Sequence, residues 1–278
     1  MALVVNSLAS GSSGNCILVR DDNTALLIDA GIGIRRIVAA LGDVGVDPAD
    51  LSGILITHEH SDHIAGAVRI ARRYRVPLVG NALTLQRISD AENVPTRVLD
   101  VDEEMTVGEL LVRPFPVSHD AAQPVGYAIS SNSATVVSAT DTGILTPRIR
   151  DEAAAADLLI LESNHDEEML LKGPYPWYLK KRIAGERGHI SNDTASGLLL
   201  DLADSGKLIS VWLAHLSKTN NSPKMALTTA QYLLWSCLGT TMDIDVALRD
   251  VPSLCWRQAD HAAQLGLFTH ESKLSCGV

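Results

Sequence analysis

Thr57-His58-Glu59-His60-Ser61-Asp62-His63 is the segment from which the fold of this 278-residue chain is best predicted. It contains three of the nine histidines and follows a strand-like apolar run at residues 53–57. A helix-like run at residues 64–74 comes next. Imidazole and carboxylate groups this close together are typical ligands of a divalent transition metal, usually Zn²⁺, with Mn²⁺ or Fe as alternatives.

The spacing within this segment predicts two adjacent metal ions rather than one. His58 and His60 alternate along an extended turn and can converge on one ion. Asp62 and His63 lie too far round the turn to share that ion. The alternative is a polar surface loop without a metal, which leaves the concentration of ligand-type side chains at a strand end unexplained.

Further candidate ligands each follow an apolar, β-type run. His119 follows residues 112–118, Asp141 follows residues 134–140, and His215 follows residues 209–214. Side chains that emerge at strand ends on one edge of a scaffold can form a site. A lone histidine can equally be an ordinary core or surface residue. Asp29 ends another apolar run, and we expect it either to accept a proton from a ligand imidazole or to form an Asx turn.

Composition restricts the class of protein. With 46% hydrophobic residues the chain can bury a sizeable core, and no run of eighteen apolar residues predicts a membrane helix. The first residues lack the basic region of a secretory signal. The four scattered cysteines form no C-x-x-C pair, which disfavours a disulfide framework and a cysteine-based zinc site. These features favour the cytoplasm and no membrane partner.

Charge alone disfavours a nucleic-acid partner, because the formal net charge is −10. Local charge differs, since two divalent ions would make the metal cleft cationic. Residues 172–187 also carry a basic cluster, which is either a nucleic-acid contact or a solvated helix face; its members are Lys172, Lys180, Lys181, Arg182 and Arg187. Tyr175 and Trp177 in the same region either stack on bases or pack within the protein.

Periodicity predicts an α/β chain without linkers or repeats. Strands are expected at residues 3–8, 16–20, 24–29, 53–57, 77–80, 105–107, 110–117, 125–130, 135–140, 157–162, 208–214 and 244–247. Helices are expected at residues 34–41, 64–74, 82–89, 147–155, within 167–184, from the N-cap Ser191 to Gly206, and at 223–237. One domain over residues 1–255 and a weakly patterned tail over residues 256–278 are the simplest organisation.

The H-x-H-x-D-H spacing of His58, His60, Asp62 and His63 resembles that of the metallo-β-lactamase superfamily, which implies an αββα sandwich. Over roughly residues 2–255 the chain is similar to the bacterial YycJ family, also called WalJ or VicX, whose members are nuclease-like metallohydrolases. The segments that carry this resemblance are Ser10–Asn15, Leu27–Gly31, Val117–Ala121, Asp141–Gly143, Glu162–Asp166, Tyr175–Arg182, Gly188–Asn192 and Ala214–Ser217.

The resemblance also implies a division of the site residues. One ion would be held by His58, His60 and His119, and the other by Asp62, His63 and His215, with Asp141 bridging them. The expected cofactor is therefore two divalent ions per chain, Zn or Mn, with Asp62 and Asp141 also contributing to catalysis.

Gly188-His189-Ile190-Ser191 resembles the G-H-x-[ST] segment of tRNase Z enzymes, and Glu162-Ser163 resembles their Glu-Ala-Thr segment. This implies that His189, partnered by Glu162, acts at the scissile phosphodiester beside the metals. His189 could instead cap the helix that begins after Ser191. The role of His165 is left open, because the matching tRNase Z segment has no histidine there.

Together these features predict a dinuclear metal-dependent phosphodiesterase, a DNA or RNA (exo)nuclease in which metal-bound hydroxide attacks in line. The alternatives are a glyoxalase-II-like thioesterase or cyclic phosphodiesterase of the same fold, and a metal-stabilised regulatory binding protein without catalysis. The chain has no room between Asp141 and Glu162 for the inserted domain of β-CASP nucleases, and it lacks the tRNA-gripping arm of tRNase Z enzymes.

Overall fold

The structure is a computed structural model that describes residues 2–258. Two seven-stranded sheets pack face to face, and helices cover the outer face of each sheet. The predicted αββα sandwich is therefore confirmed.

The first sheet has the spatial order β14-β1-β2-β3-β4-β5-β6. Its strands are β1 (Val4–Ala9), β2 (Cys16–Arg20), β3 (Ala25–Ile28), β4 (Gly53–Leu55), β5 (Leu78–Gly80), β6 (Thr96–Val98) and β14 (Leu254–Arg257). From β14 to β3 neighbouring strands run antiparallel, and from β3 to β6 they run parallel. In the parallel half, residues 58–63, here called the metal loop, follow the carboxyl end of β4.

The second sheet has the order β13-β12-β11-β10-β9-β8-β7 and the same mixture of directions. Its strands are β7 (Met105–Val107), β8 (Leu110–Pro116), β9 (Val125–Ser130), β10 (Thr135–Ala139), β11 (Leu158–Glu162), β12 (Ser210–Ala214) and β13 (Asp243–Val246). β7 to β10 are antiparallel, and β10 to β13 are parallel. The carboxyl ends of β10, β11 and β12 therefore meet at one edge.

Nine α-helices lie within residues 2–258: α1 (Ile34–Asp43), α2 (Ser61–Ile64), α3 (Ala67–Tyr74), α4 (Ala82–Arg87), α5 (Pro147–Ala155), α6 (Glu167–Lys172), α7 (Trp177–Ile183), α8 (Asn192–Asp204) and α9 (Pro223–Leu238). The helix predicted at residues 64–74 is observed as α3, which begins at Ala67, whereas Ile64 ends the separate helix α2. Gly66 separates them, and a Cβ there would lie 2.3 Å from the carbonyl oxygen of Ile32. Close backbone packing thus fixes this break.

The core has three layers. Between the sheets lie buried side chains from both, including Val5, Tyr127 and Trp256. The outer layers place α1 and α3 on the first sheet and α5, α8 and α9 on the second. A fully buried aliphatic side chain contributes about 1.5–3 kcal/mol, so these layers stabilise the sandwich from which the site loops emerge.

Two strands were not predicted from the sequence, β6 and β14. β14 pairs with β1, with Trp256 opposite Val5, so the predicted domain boundary at residue 255 falls inside a strand. Residues 259–278, with His261 and His270, lie outside the described residues. Along residues 2–258, none of the helices combines the length and apolar character needed to cross a membrane.

Candidate metal centre

The candidate site lies where strand ends of both sheets meet. His58, His60, Asp62 and His63 follow β4 and enter α2. Asp141 follows β10, Glu162 ends β11, and His215 follows β12, while His119 lies in the loop between β8 and β9. The structure thus brings together all the residues that the sequence predicted for the site.

One cluster contains three imidazoles. His58 Nε2 lies 3.1 Å from His60 Nδ1, and His119 Nε2 lies 3.3 Å from the same His60 nitrogen. Two nitrogens bound tetrahedrally to one zinc ion at 2.0–2.1 Å would lie roughly 3.4 Å apart. The spacing of these three nitrogens therefore fits one ion of that size.

A second cluster contains Asp62, His63 and His215. Asp62 Oδ2 lies 3.7 Å from His63 Nε2 and 3.6 Å from His215 Nε2. Asp141 lies between the two clusters: its carboxylate is 3.2 Å from His63 Nε2 and 3.6 Å from both His119 Nε2 and His215 Nε2. One carboxylate thus faces ligand atoms of both clusters.

Hydrogen bonds behind the imidazoles orient them. His63 Nδ1 donates to Asp29 Oδ2 at 2.7 Å, which is the role predicted for this carboxylate. His119 Nδ1 donates to the carbonyl of Gly188 at 3.1 Å, and His215 Nδ1 donates to Glu162 Oε1 at 2.8 Å. In each case the opposite ring nitrogen faces the cluster and is the atom that would bind a metal once it has lost its proton.

Several buried polar side-chain atoms of the described residues lack hydrogen-bond partners, and two of them belong to the clusters. Asp141 Oδ2 and His215 Nε2 make no hydrogen bond to any residue between 2 and 258. A buried polar atom without a partner is costly unless something else satisfies it. Both atoms face the centre of the clusters, so the residues present fit a divalent metal ion.

Electrostatics keep the central carboxylate ionised. Burial alone would raise the pKa of Asp141, but the neighbouring His215 and His63 outweigh it and hold the pKa well below its usual range. For His58, burial and the nearby His63 lower the pKa well below normal. The site therefore offers an anionic carboxylate and a neutral imidazole, the forms that bind metals.

Glu162 and His189 form a pair beside the clusters. His189 Nδ1 lies 2.8 Å from Glu162 Oε1 and 3.7 Å from Asp141 Oδ1. Burial acts to lower the pKa of His189, but Glu162 and Asp141 together outweigh burial, so the net pKa is raised. Helix α8 has its own cap, because the Ser191 hydroxyl accepts the amide of Thr194 at 3.2 Å. His189 is therefore not needed to cap that helix.

Sequence reasoning missed several supporting residues. Thr57 donates its hydroxyl to Asp29 at 2.9 Å, Asn164 donates to the His215 carbonyl at 2.9 Å, and Asn15 Nδ2 lies 3.1 Å from His63 Nε2. Thr57 adjoins the histidine motif, so its hydroxyl was a possible signal. Asn15 and Asn164 lie far away in sequence and carried no signal of this contact.

The basic cluster of residues 172–187 has divided roles. Arg182 lines the metal cleft, a cavity of about 170 Å³, and pairs with Asp120 at 2.6 Å. Arg187 instead donates to the His119 carbonyl at 3.1 Å, and Lys172 pairs with Glu168. Tyr175 donates its hydroxyl to Thr219 at 3.0 Å. Arg182 is thus the member of the cluster that reaches the metal cleft directly.

Comparison with known proteins defines the class first. A family model described as the beta-lactamase superfamily domain matches residues 24–211. The structure of the metallo-beta-lactamase fold protein YhfI from Bacillus subtilis superposes with a TM-score of 0.69, covering 91% of this chain and 99% of that one at 17% identity. The fold and the His/Asp clusters are those of the metallo-β-lactamase superfamily.

Two relatives narrow the class. The chain is 39% identical to Exodeoxyribonuclease YycJ of Bacillus anthracis over 84% of this chain and 90% of that protein. It is 37% identical to Exodeoxyribonuclease WalJ of Streptococcus pneumoniae over 86% of this chain and 91% of that protein. The chain belongs to the YycJ/WalJ family of the metallo-β-lactamase superfamily, which confirms the predicted family and the predicted class, a metal-dependent hydrolase.

Proposed function

We propose that the chain binds two divalent ions, Zn²⁺ or Mn²⁺. His58, His60 and His119 would hold one through the three nitrogens that converge on each other. Asp62, His63 and His215 would hold the other, with Asp141 shared between them. The two unsatisfied atoms, Asp141 Oδ2 and His215 Nε2, support this assignment.

We further propose that the reaction is hydrolysis of a phosphodiester by in-line attack of water. A pair of divalent ions supplies Lewis acidity and lowers the pKa of a bound water toward ~7. Asp62 and Asp141 line the same cleft as His189, where their carboxylates can orient the attacking water. His189 would protonate or hydrogen-bond the departing oxygen. Glu162 holds the imidazole in place, because Glu162 Oε1 lies 2.8 Å from His189 Nδ1.

The observation that carries this proposal is the Glu162–His189 pair at the wall of the metal cleft. Both carboxylate oxygens of Glu162 are already engaged. Oε1 accepts from His189 and from His215, and Oε2 accepts the Thr142 amide at 2.9 Å. Asp141, Glu162, His189 and His215 are close enough to hold a metal themselves. The engagement of Glu162 favours the acid role for His189 over that arrangement.

Nucleic acid is the proposed substrate, and DNA strand ends are the proposed form. Two relatives that align over most of their length are named exodeoxyribonucleases. Arg182 lines the cleft, and Lys180, Lys181 and Trp177 lie in the cavity that adjoins it. These side chains can contact phosphates and stack on bases in an otherwise acidic protein.

The test is an assay of the purified protein with Mn²⁺ or Zn²⁺ on end-labelled single- and double-stranded DNA and RNA. We expect stepwise release of nucleotides from DNA ends. Thioesters and cyclic phosphodiesters are assayed in parallel. Turnover of these small substrates without any hydrolysis of nucleic acid would contradict the nuclease proposal and favour a glyoxalase-II-like enzyme or a cyclic phosphodiesterase.

Two variants separate the metal-ligand role from the acid role. His58→Ala should lose metal and activity together, because it removes a proposed ligand. His189→Ala should keep both metals and lose ~10²–10⁴-fold in rate on DNA, with a smaller loss on bis-p-nitrophenyl phosphate, whose leaving group needs no proton. Metal content is measured by elemental analysis, and loss of metal from His189→Ala would assign His189 as a ligand.

A further inference from the structure

A second cavity adjoins the metal cleft. It has a volume of about 310 Å³, within the range of roughly 300–1,000 Å³ typical of small-molecule pockets. His189 lines both this cavity and the metal cleft, so the imidazole proposed to act on the leaving oxygen is their shared wall. A group bound in the cavity would therefore lie next to the scissile phosphate.

His165 is the unexplained polar residue of this cavity. It is 2% exposed, yet its Nδ1 has no hydrogen-bond partner in the part of the chain that the structure describes. Its backbone is fixed by the start of α8, because its carbonyl accepts the amide of Asn192 at 2.8 Å. Burial lowers the pKa of His165, so at neutral pH its ring offers one donor and one acceptor.

Another part of the cavity lining combines an aromatic ring with cations. Trp177 lines the cavity although its side chain is 59% exposed, and the ammonium of Lys181 lies 5.6 Å from the centre of its ring. Lys180 also lines the cavity. The aromatic face suits the face of a base, the two ammonium groups suit a phosphate, and the buried polar imidazole suits the edge of the base.

We propose that this cavity binds the base of the strand-terminal nucleotide, with Trp177 against its face and His165 on its edge. The inference rests on the proposed nuclease function and adds how the end is recognised. A base can enter the cavity only when it is unpaired and unstacked, so the preferred substrate is a single-stranded or frayed end.

The test compares two inhibitors of bis-p-nitrophenyl phosphate hydrolysis by the metal-loaded enzyme: a deoxynucleoside 5′-monophosphate and the base-free 2-deoxyribose 5-phosphate. We expect the nucleotide to inhibit at a concentration roughly 5- to 150-fold lower, the contribution of one stacked base. DNA with a terminal abasic residue should likewise show a higher KM than intact DNA.

Variants assign this preference to the cavity. Trp177→Ala should reduce the ratio of the two inhibition constants, whereas Tyr178→Ala, the adjacent exposed aromatic outside the cavity lining, should leave it unchanged. His165→Ala should weaken inhibition by the nucleotide roughly 3- to 10-fold, which corresponds to the loss of one hydrogen bond. His165→Asn should restore part of this inhibition. If His165→Ala fails to fold, Ala184→Phe offers a second test, because it fills the cavity from an exposed position. This variant should bring the two inhibition constants to similar values.

Equal inhibition of the wild-type enzyme by the two compounds would overturn the base pocket while leaving nuclease activity standing. A preserved preference in the Trp177, His165 and Ala184 variants would also overturn it, because the base would then bind elsewhere. Absence of hydrolysis on every DNA substrate would instead reject the proposed function, and this inference with it.

Discussion

Glu162 is a buried carboxylate on which two imidazoles depend. Its Oε1 accepts from both His189 Nδ1 and His215 Nδ1 at 2.8 Å, although the sequence suggested only the first contact. Burial acts to raise the pKa of Glu162, but His189 and His215 outweigh burial and lower it to about 2. One negative charge therefore orients both the proposed acid and a proposed metal ligand.

Glu162→Gln should consequently damage both functions. An amide cannot satisfy both sides, because Oε1 faces two imidazole donors and Oε2 accepts the Thr142 amide. We expect metal affinity at the His215 site to fall roughly 10–100-fold, measured by titration with a chelating dye, along with activity. His189→Ala is the matched control, since it leaves the His215–Glu162 bond in place. Wild-type metal affinity in Glu162→Gln would show that this bond does not support the site.

For single residues, the sequence indicated the proposed metal ligands well and the groups that hydrogen-bond to them poorly. Ligand-type residues follow apolar runs, and that pattern is local. The Gly188 carbonyl behind His119 is an atom that every residue has, so no sequence pattern marks it. Asn15 reaches His63 across 48 positions, and only the folded chain brings them together.

At the scale of elements, three strands end on residues with left-handed backbone. Asp29, Asp141 and His215 have φ values of 59°, 55° and 55°, after β3, β10 and β12 respectively. This conformation is uncommon for residues other than glycine, although Asp and His are among the more tolerant. A left-handed residue just after each strand thus breaks the extended backbone where a site side chain is placed, a geometry that period-two hydrophobic patterns do not encode.

The glycines before α1 give a matched test of how tightly the metal loop is held. A Cβ at Gly31 would lie 1.6 Å from the carbonyl oxygen of Asp62, whereas a Cβ at Gly33 would meet nothing within 4 Å. Gly31→Ala should displace the loop and lower both metal content and the melting temperature. Gly33→Ala should leave metal content unchanged and lower the melting temperature much less, since alanine at this N-cap position only weakens the start of α1. Elemental analysis and thermal unfolding measure the two effects. Equal behaviour of the two variants would contradict the close approach.

Element boundaries show why some predictions differed. The missed strand β6 (Thr96–Val98) is exposed along its length, so no alternation of apolar and polar residues marks it. The missed strand β14 overlaps the start of the weakly patterned tail and is defined by its pairing with β1. In that pairing Ser7 lies opposite Leu254, 247 positions later in the chain. Long, periodic elements such as α8 were predicted close to their observed bounds, because their burial pattern is local.

At the scale of the whole molecule, the proposed metal ligands come from both sheets. His58 to His63 follow the first sheet, and Asp141 and His215 follow the second. Metal bound between them would connect the two halves of the sandwich. It would bind the folded chain and not the unfolded one, so it would stabilise the fold by mass action.

Removing metal should therefore lower the melting temperature. Free metal at about a thousand times its dissociation constant contributes ~4 kcal/mol, which corresponds to a shift on the order of 10 °C for a domain of this size. The measurement is thermal unfolding before and after chelation and dialysis. Asp141→Asn, which weakens both proposed sites, should show a smaller shift. An unchanged melting temperature after complete metal removal would show that metal binding does not stabilise the fold.

The pairing of β14 with β1 has a consequence for synthesis on the ribosome. The first sheet has the earliest strand of the described chain beside the latest, and Trp256 completes the layer between the sheets. Until residue 257 has left the exit tunnel, β1 is an open edge that can pair with other chains. We expect stalled nascent chains to become protease-resistant only once β14 has emerged, and chains ending at residue 252 to aggregate where chains ending at 258 do not.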